Sequence, residues 1–320
     1  MNFLKKTMTV LVMSALSYSA SAQPSSDKAI RIIHGGASGG NADIVARMLA
    51  PLLSEQLGQS IIVEPKPGAG QTIAMVAAAQ AAADGRTLGM LNAGISVQNA
   101  LNRKLTYRVT RDFASVGMVS QFPFVVLVRN DSPLKTMDDL ISEARKEPGK
   151  ISYGTIGIGT SQHMVGELIG SMANVQLLHV PYPNAAGPLN DLLGGQLNAA
   201  SESLAAANSH IQSGRLRALA VTSPRRWPSL PNVPALAETV PGFDVTSWIG
   251  LAVPAATPAA QVTQLASALR QVVSSEKFGE QIRKFGSEPF LMEPTSMKTF
   301  LEKEVAKWTA LGNKAGISLD

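Results

Sequence analysis

The amino-acid sequence predicts an α/β protein of two lobes, each with a central, mostly parallel sheet flanked by helices, and a ligand cleft between them. Three observations favour this class. Short runs of β-branched residues alternate with amphipathic helical patterns, as in sheets built from βαβ units. The length of 320 residues exceeds what one ordinary core accommodates. Two apolar extended runs, at 124–129 and 248–253, are candidates for crossings between the lobes.

The elements follow in order along the chain. In the first lobe we expect strands at 30–34, 60–64 and 87–91, with helices at 43–57 and 72–83, the first of them ended by Gly58. After the first crossing we expect a helix that contains Met137, Leu140, Ile141 and Ala144. Strands are then predicted at 151–153, 175–180, 197–200 and 216–221, and helices at 161–172 and 188–193. Helices at 259–274, 276–285 and 296–315, the last with Thr295 as N-cap, should pack back on the first lobe. The predicted lobes are therefore 27–124 with 250–320, and an inserted 125–249.

The first residues have the pattern of a cleaved secretory signal peptide. Lys5 and Lys6 precede an apolar run over 8–16, and small residues lead up to Ala22. A membrane anchor needs roughly 20 continuous apolar residues, whereas serines interrupt this run early. Cleavage of segment 1–22 after Ala22 leaves 298 of the 320 residues, beginning at Gln23. We expect a periplasmic protein.

Composition excludes several classes of protein. The chain has no cysteine, so disulfide frameworks and Cys-based zinc sites are ruled out. Its formal charge is +5, or +3 once Lys5 and Lys6 are removed, and only 5% of its residues are aromatic. Nucleic-acid binding requires a denser basic stripe with stacking aromatics. We expect no nucleic-acid partner, no cofactor, no metal and a monomeric protein.

Three segments share one pattern, in which a strand is followed by a turn of small residues and then a helix. Glycine lets main-chain N–H groups approach a ligand, and a helix start offers unpaired N–H donors with partial positive charge. A carboxylate can be held there without arginine. Such turns are also common as purely structural connections, and both interpretations stay open from the pattern alone. The turns span 34–41, 67–72 and 154–161.

An enzymatic alternative comes from the first turn. Gly36, Ser38 and Gly40 fit the Gly-x-Ser-x-Gly nucleophile elbow, and His34-Gly35-Gly36 is similar to an oxyanion segment. In hydrolases of that fold the two pieces lie in different loops, and the elbow follows several strands. We keep a secreted serine hydrolase or esterase that uses Ser38 as the second hypothesis. His163 and Glu167 share a helix face, but two ligands are too few for a metal site.

A series of motifs, running in order through most of the chain, resembles the receptors of tripartite tricarboxylate transporters, also called Bug proteins. Each motif is weak by itself, but together they are specific. They are Arg31-Ile32-Ile33, Gly39-Gly40-Asn41-Ala42-Asp43-Ile44-Val45-Ala46-Arg47, Val63-Glu64-Pro65-Lys66-Pro67-Gly68-Ala69-Gly70, Gly157-Ile158-Gly159-Thr160-Ser161-Gln162-His163, His179-Val180-Pro181-Tyr182, Asp191-Leu192-Leu193-Gly194-Gly195-Gln196 and Leu216-Arg217-Ala218-Leu219-Ala220-Val221-Thr222.

The resemblance implies a type II periplasmic-binding fold and a receptor without catalytic activity. It would capture a small mono- or dicarboxylate, aliphatic or aromatic, and deliver it to the membrane components of such a transporter. The family's ligand contacts come from the first turn and from the turn before the Gly-Thr-Ser helix. Carried over to this sequence, the ligand-binding residues are His34, Gly36, Ala37, Ser38, Gly39, Asn41, Thr155, Gly157, Gly159, Thr160, Ser161, Tyr182 and Glu202.

The sequence departs from the family's pattern at three places near the ligand. Residues 34–38 replace a stretch resembling Val-Pro-Phe-Pro-Pro, which loses an aromatic ring and gains His34 and Ser38. Residues 182–184 replace Tyr-Lys-Gly, and Glu202 is followed by serine where an acidic residue is often followed by asparagine. We expect a roomier, more polar pocket, with Glu202 on the far side of the ligand.

Overall fold

The computed structural model describes residues 29–36, 38–184 and 186–319, except for the side chain of Ala315. The predicted signal peptide and its cleavage site lie outside the described residues. Within the described ranges, no helix has the length and apolar character needed to cross a bilayer.

Ten strands and eleven helices alternate along the described chain. The strands are β1 (Ile30–His34), β2 (Ile61–Pro65), β3 (Thr87–Asn92), β4 (Phe113–Arg129), β5 (Ser152–Thr155), β6 (Leu178–Pro181), β7 (Ala199–Ser203), β8 (Leu216–Val221), β9 (Thr246–Pro254) and β10 (Glu288–Met292). The helices are α1 (Asn41–Leu57), α2 (Thr72–Ala79), α3 (Ala93–Leu101), α4 (Val109–Asp112), α5 (Met137–Lys146), α6 (Ser161–Ala173), α7 (Ala186–Leu193), α8 (Leu204–Gln212), α9 (Ala259–Val273), α10 (Glu276–Lys284) and α11 (Pro294–Ala315).

The strands form two groups that share β4. In the first group β2, β1 and β3 are parallel neighbours, and β9, β4 and β10 extend them with antiparallel pairing. In the second group β6, β5 and β7 are parallel, and β4 pairs antiparallel with β7 on one side and with β8 on the other. Each group therefore has a parallel centre with antiparallel additions, and the predicted two-lobed α/β class is confirmed.

Strand β4 changes partners partway along its length. Its residues up to Pro123 pair with β9, and Pro123 lies opposite Thr246. From Phe124 onward the same strand pairs with β7 on one side and β8 on the other. Thr222 reinforces the change, because its hydroxyl accepts from the Phe124 N–H at 2.8 Å and donates to the Val245 carbonyl at 2.8 Å. The chain thus leaves the first group of strands and returns to it at neighbouring positions.

Helices cover the strands with their apolar faces. Helix α1 buries a stripe that includes Val45, Leu49 and Leu53, and Gly58 ends the helix in the left-handed conformation, with φ of 63°. Helices α9 and α11 pack on β4, and α10 packs on β10. The helices at the end of the chain therefore return to the first group of strands, as the sequence predicts.

Several boundaries differ from the sequence prediction. Helix α11 begins at Pro294 with Glu293 as its N-cap, so the prediction of Thr295 as N-cap is wrong. Proline is well suited to a first helical turn, which lacks N–H partners in any case. Helix α2 ends at Ala79, before a turn in which Asp84 accepts the Arg86 N–H and Gly85 has φ of 76°. The sequence prediction also missed α3, α4, α8, β10 and the first half of β4.

Candidate functional site

The carboxyl ends of the parallel strands carry the predicted turns. Strands β1, β2 and β3 end together, since they are parallel neighbours, and β5, β6 and β7 do the same. Ligands of α/β proteins bind at this edge of the sheet. Helices α3 and α6, which follow β3 and β5, contact each other. The two edges therefore face one another.

Three side chains outside the predicted ligand-binding set make contacts within the first edge and between the two edges. Gln71 and Asn92, both on the first edge, exchange two amide hydrogen bonds, of 3.0 and 2.6 Å. The Gln98 amide donates to the Gly159 carbonyl at 3.4 Å, and a Cβ at Gly70 or at Gly159 would collide with that amide. Asn92 is the last residue of the buried strand β3 and precedes Ala93-Gly94. This is the small-residue pattern of the other turns and could have indicated this region.

The turn after β1 is held by Asp43, a buried carboxylate one turn into α1. One of its oxygens accepts the Gly39 N–H at 3.0 Å, and the other accepts from Arg47 Nε at 3.0 Å. Burial alone would raise the pKa of Asp43, but the bonds from Arg47 and Gly39 outweigh it and the pKa is lowered. Asp43 is therefore ionised, and Arg47 balances its charge beside the turn.

His34 is fully buried beneath this turn. Its Nε2 lies 3.3 Å from Asp43 Oδ1, yet neither ring nitrogen makes a hydrogen bond within the described residues. Burial lowers the pKa of His34, although Asp43 acts in the opposite direction, so the ring is neutral near pH 7. A neutral imidazole with an unpartnered nitrogen can bond to a ligand or to water in the turn.

Helix α1 begins without a side-chain cap. Gly40 occupies the N-cap position and has no side chain to accept the first N–H groups of the helix. The next residue, Asn41, has both amide atoms buried and without a hydrogen-bond partner in the part of the chain described here. Buried polar groups are rarely left unpaired. The start of α1 therefore offers donors that an anion would satisfy.

The turn after β5 is ordered by side chains of its own lobe. Thr160 caps α6, because its hydroxyl accepts the His163 N–H at 3.2 Å and donates to the Gly157 carbonyl at 2.9 Å. Gly157 and Gly159 have φ values of 118° and 74°, which favour glycine. His163 Nδ1 accepts the Gly159 N–H at 3.3 Å. Ser161, the first residue of the helix, has its N–H beside Gly94 of the facing edge.

A stack of aromatic rings supports this turn from below. The rings of His163 and His179 stack at 4.2 Å between centroids, and Tyr153 lies 5.0 Å from His179. Thr155 Oγ1 is 2.7 Å from His179 Nε2. Burial, with a smaller contribution from His163, lowers the pKa of His179 to about 4, so this ring is neutral. The Thr155 hydroxyl is thus hydrogen-bonded to the His179 ring of this stack.

Glu202 is the next-to-last residue of β7, on the same edge, and is almost completely buried, with 1% of its surface exposed. Its Oε2 accepts the Ser203 N–H at 3.3 Å, and its Oε1 has no partner among the described residues. Burial raises the pKa of Glu202 to about 8, against smaller effects of Ser203 and Gln162. The carboxyl is therefore protonated at neutral pH and can donate a hydrogen bond.

Comparison with known proteins decides the family. The sequence matches the tripartite tricarboxylate transporter family receptor over residues 45–317. The chain belongs to this receptor family. The match covers well over half of the chain and includes every strand except β1. The resemblance seen in the sequence motifs is confirmed.

Solved structures of similar proteins agree with the receptor fold. One is Rpa4515 of R. palustris with adipate, which is 33% identical with a TM-score of 0.85 over 90% of this chain and 97% of that one. The periplasmic binding protein BugD is 32% identical, with a TM-score of 0.84 over 91% and 98%. MatC (Rpa3494) from Rhodopseudomonas palustris with bound malate is 26% identical, with a TM-score of 0.82 over 88% and 98%.

In this receptor the remaining predicted site residues are placed as follows. Gly36, Ser38 and Gly39 lie in the turn after β1, where Ser38 is exposed, while Ala37 lies outside the described residues. Gly36 is close to Ala42 and to His34 Nδ1. The Tyr182 hydroxyl donates to Asp191 at 2.6 Å, and its ring packs against Gly187. The main-chain carbonyl of Tyr182 therefore faces the turn, beside Gly157, while its hydroxyl points to Asp191.

The arrangement around Ser38 differs from a hydrolase triad. The chain has four histidines, and none of their ring nitrogens bonds to Ser38 in the described structure. His34, the nearest in sequence, faces Asp43 instead. A serine nucleophile needs a base within hydrogen-bond reach. The comparisons give no support to the esterase hypothesis.

Proposed function

We propose that this receptor captures a small carboxylate, mono- or dicarboxylate, between the facing strand edges, and that it catalyses no reaction. The observation that carries the proposal is the start of α1. Gly40 provides no cap and the buried Asn41 amide has no partner, so an anionic group would satisfy donors that are otherwise left unpaired. Structural relatives with adipate and with malate support a carboxylate as that group.

The opposite side of the cleft suits a second polar group on the ligand. Glu202 carries a proton at neutral pH, because burial raises its pKa to about 8, and its Oε1 has no partner in the described chain. A protonated carboxyl can donate to a distal carboxylate, carbonyl or hydroxyl. We therefore favour dicarboxylates and hydroxy acids over ligands with an apolar end.

We further propose that residues 27–124 with 250–320 form one lobe and 125–249 the other, and that ligand binding closes the cleft between them. The support is the change of β4 partners at Phe124 and the resumption of pairing at Thr246. Motion would then concentrate at these two strands. Small-angle scattering with and without ligand should give a smaller radius of gyration with ligand, and an unchanged radius at saturation would contradict closure.

The cellular location and the transport partners that we propose are those expected for a receptor of this family. Export with cleavage after Ala22 would deliver the mature receptor to the periplasm, where the membrane components of a tripartite transporter would accept the ligand. N-terminal sequencing of the protein from a periplasmic extract should begin at Gln23. A chain that retains Lys5 and Lys6 would contradict cleavage.

The decisive experiment is a thermal-shift screen of the mature receptor against a carboxylate library. A hundredfold excess of ligand over its Kd adds about 2.7 kcal/mol to the free energy of unfolding, which raises Tm by roughly 5–10 °C. Shifts with di- or hydroxycarboxylates are expected, while the corresponding amides should give none. Silence across all acids, with shifts from sugars or metals, would refute the proposal.

A further inference from the structure

A concave groove lies on the outer face of the first lobe, between α1 and α10. Its volume is about 420 Å³. Its floor is apolar and contains Met48, Pro51 and Phe285, the last with 37% of its surface exposed. A groove of this shape accommodates a protruding peptide segment better than it accommodates the flat surface of a bilayer.

The rim of the groove is basic. Lys277 and Lys284 lie seven residues apart on α10, both are exposed, and neither forms an ion pair with any described residue. Arg47 contributes a third cation from α1, and 58% of its side chain is exposed. Glu55 is the acidic residue among the lining residues. Cationic rims attract acidic partners and steer their association.

Arg47 also connects the groove to the ligand turn. It donates to Asp43 at 3.0 Å, and the other Asp43 oxygen accepts the Gly39 N–H at 3.0 Å. Arg47 therefore offsets a buried negative charge that lies directly beside the proposed carboxylate position. If an acidic partner engaged Arg47, Asp43 would lose that compensation, the Gly39 contact would loosen, and a bound carboxylate would be repelled.

We propose that the groove between α1 and α10 docks an acidic segment of the membrane partner, and that Arg47 and Asp43 transmit docking to the ligand turn. The inference rests on the proposed receptor function. Docking through Lys277 and Lys284 then lowers the affinity of the receptor for its ligand at the membrane partner, where the ligand is released. The partner is defined by its chemistry, as an acidic peptide with apolar residues that fill the floor of the groove.

The first test uses a fluorescein-labelled, glutamate-rich peptide carrying two leucines, with the mature protein and fluorescence anisotropy as the readout. Lys277→Glu with Lys284→Glu should weaken peptide binding by at least about tenfold, because attraction becomes repulsion at two positions. Lys298→Glu with Lys303→Glu, at exposed lysines of α11, is the matched control and should bind as wild type. The glutamine version of the peptide should not bind.

The second test measures transmission without any carboxylate ligand. Hydrogen exchange of the segment 35–40, which contains the Gly39 N–H, should speed up when the peptide binds wild type. Arg47→Gln should exchange quickly from the start and respond little to the peptide. Thermal unfolding of each variant checks that the protein is folded, which is expected since these side chains are exposed.

The outcomes separate this inference from the proposed function. Failure of the peptide to bind, equal effects of the two lysine pairs, or unchanged exchange at 35–40 would each overturn docking, even if adipate binds. If adipate and the other acids do not bind while the peptide response is intact, only the carboxylate proposal is refuted. Binding to phosphatidylglycerol vesicles through Lys277 and Lys284, but not to the peptide, would replace the peptide partner with a membrane surface.

Discussion

His163 Nδ1 accepts the main-chain N–H of Gly159 within the turn that precedes α6. This bond fixes the tautomer of the ring, since Nδ1 must be unprotonated and Nε2 then carries the hydrogen that faces Glu167 at 3.5 Å. Glu167 also accepts from the Tyr153 hydroxyl at 2.9 Å. A partly buried side-chain network thereby orients a turn of the proposed ligand site.

His163→Ala should weaken carboxylate binding by about tenfold, because the Gly159 N–H loses its acceptor at a cost of about 1–2 kcal/mol. His163→Asn places an amide oxygen near the former Nδ1 and should recover most of the affinity. Isothermal titration with the best ligand from the screen measures both variants. Equal affinities for His163→Ala and wild type would show that the turn is held by other contacts.

Asn41→Asp should separate ligand binding from stability. The helix dipole favours a carboxylate at the start of α1 by about 0.3–1 kcal/mol, which offsets part of the cost of burying that charge near Asp43, so the free energy of unfolding should fall less than the free energy of ligand binding. The same charge repels a ligand carboxylate and removes the amide donors, so affinity should fall by well over tenfold. Asn41→Ser is the control that keeps a neutral donor. A variant that binds carboxylates normally would place the anion elsewhere.

Stability should depend on pH through Glu202. Burial raises its pKa from the ordinary value of 4.5 to about 8 in the folded protein. Between these values the folded state holds a proton that the unfolded state has released, so stability falls as pH rises, with a slope that approaches about 1.4 kcal/mol per pH unit. Glu202→Gln removes this contribution. Urea unfolding from pH 5 to pH 8 should give a flatter profile for the variant, and parallel profiles would contradict the shift.

A variant at Ser38 distinguishes the receptor hypothesis from the hydrolase hypothesis. If its hydroxyl donates to a bound carboxylate, Ser38→Ala removes one charge-assisted bond, at a cost of roughly 1.5–3 kcal/mol or about ten- to over a hundredfold in affinity. The wild type should show no turnover of activated esters and no labelling by a fluorophosphonate. Stoichiometric labelling at Ser38, absent in the alanine variant, would restore the esterase hypothesis.

Sequence patterns predicted most of the fold where apolar periodicity was strong. The bounds of β1 and β8 agree with the prediction, and α1 differs by two residues at its start. The first half of β4 was missed because Ser115, Gly117 and Pro123 interrupt the β-branched pattern, while its partners β9 and β10 are distant in sequence. Tertiary pairing, which local propensity cannot indicate, stabilises this strand.

The site was only partly predictable for a related reason. Glycine-rich turns after strands are visible in a sequence, and they did lead to the turns at 34–41 and 154–161. Gln98, which joins the two edges, has no local signature and becomes a functional candidate only when the strands bring the edges together. The role of Asp43 likewise depends on its burial and on Gly39, not on its helical position alone.

The pairing of Pro123 with Thr246 has an evolutionary consequence. The two ends of the segment between these residues lie side by side in the sheet. The coding sequence for this segment can therefore be regarded as a cassette within the gene. Recombination at two points that are neighbours in space would exchange the proposed inserted lobe, which is one side of the proposed cleft, and leave the strand pairing of the first group intact. Receptors with this connectivity can acquire a new ligand preference by replacing a single contiguous piece of coding sequence.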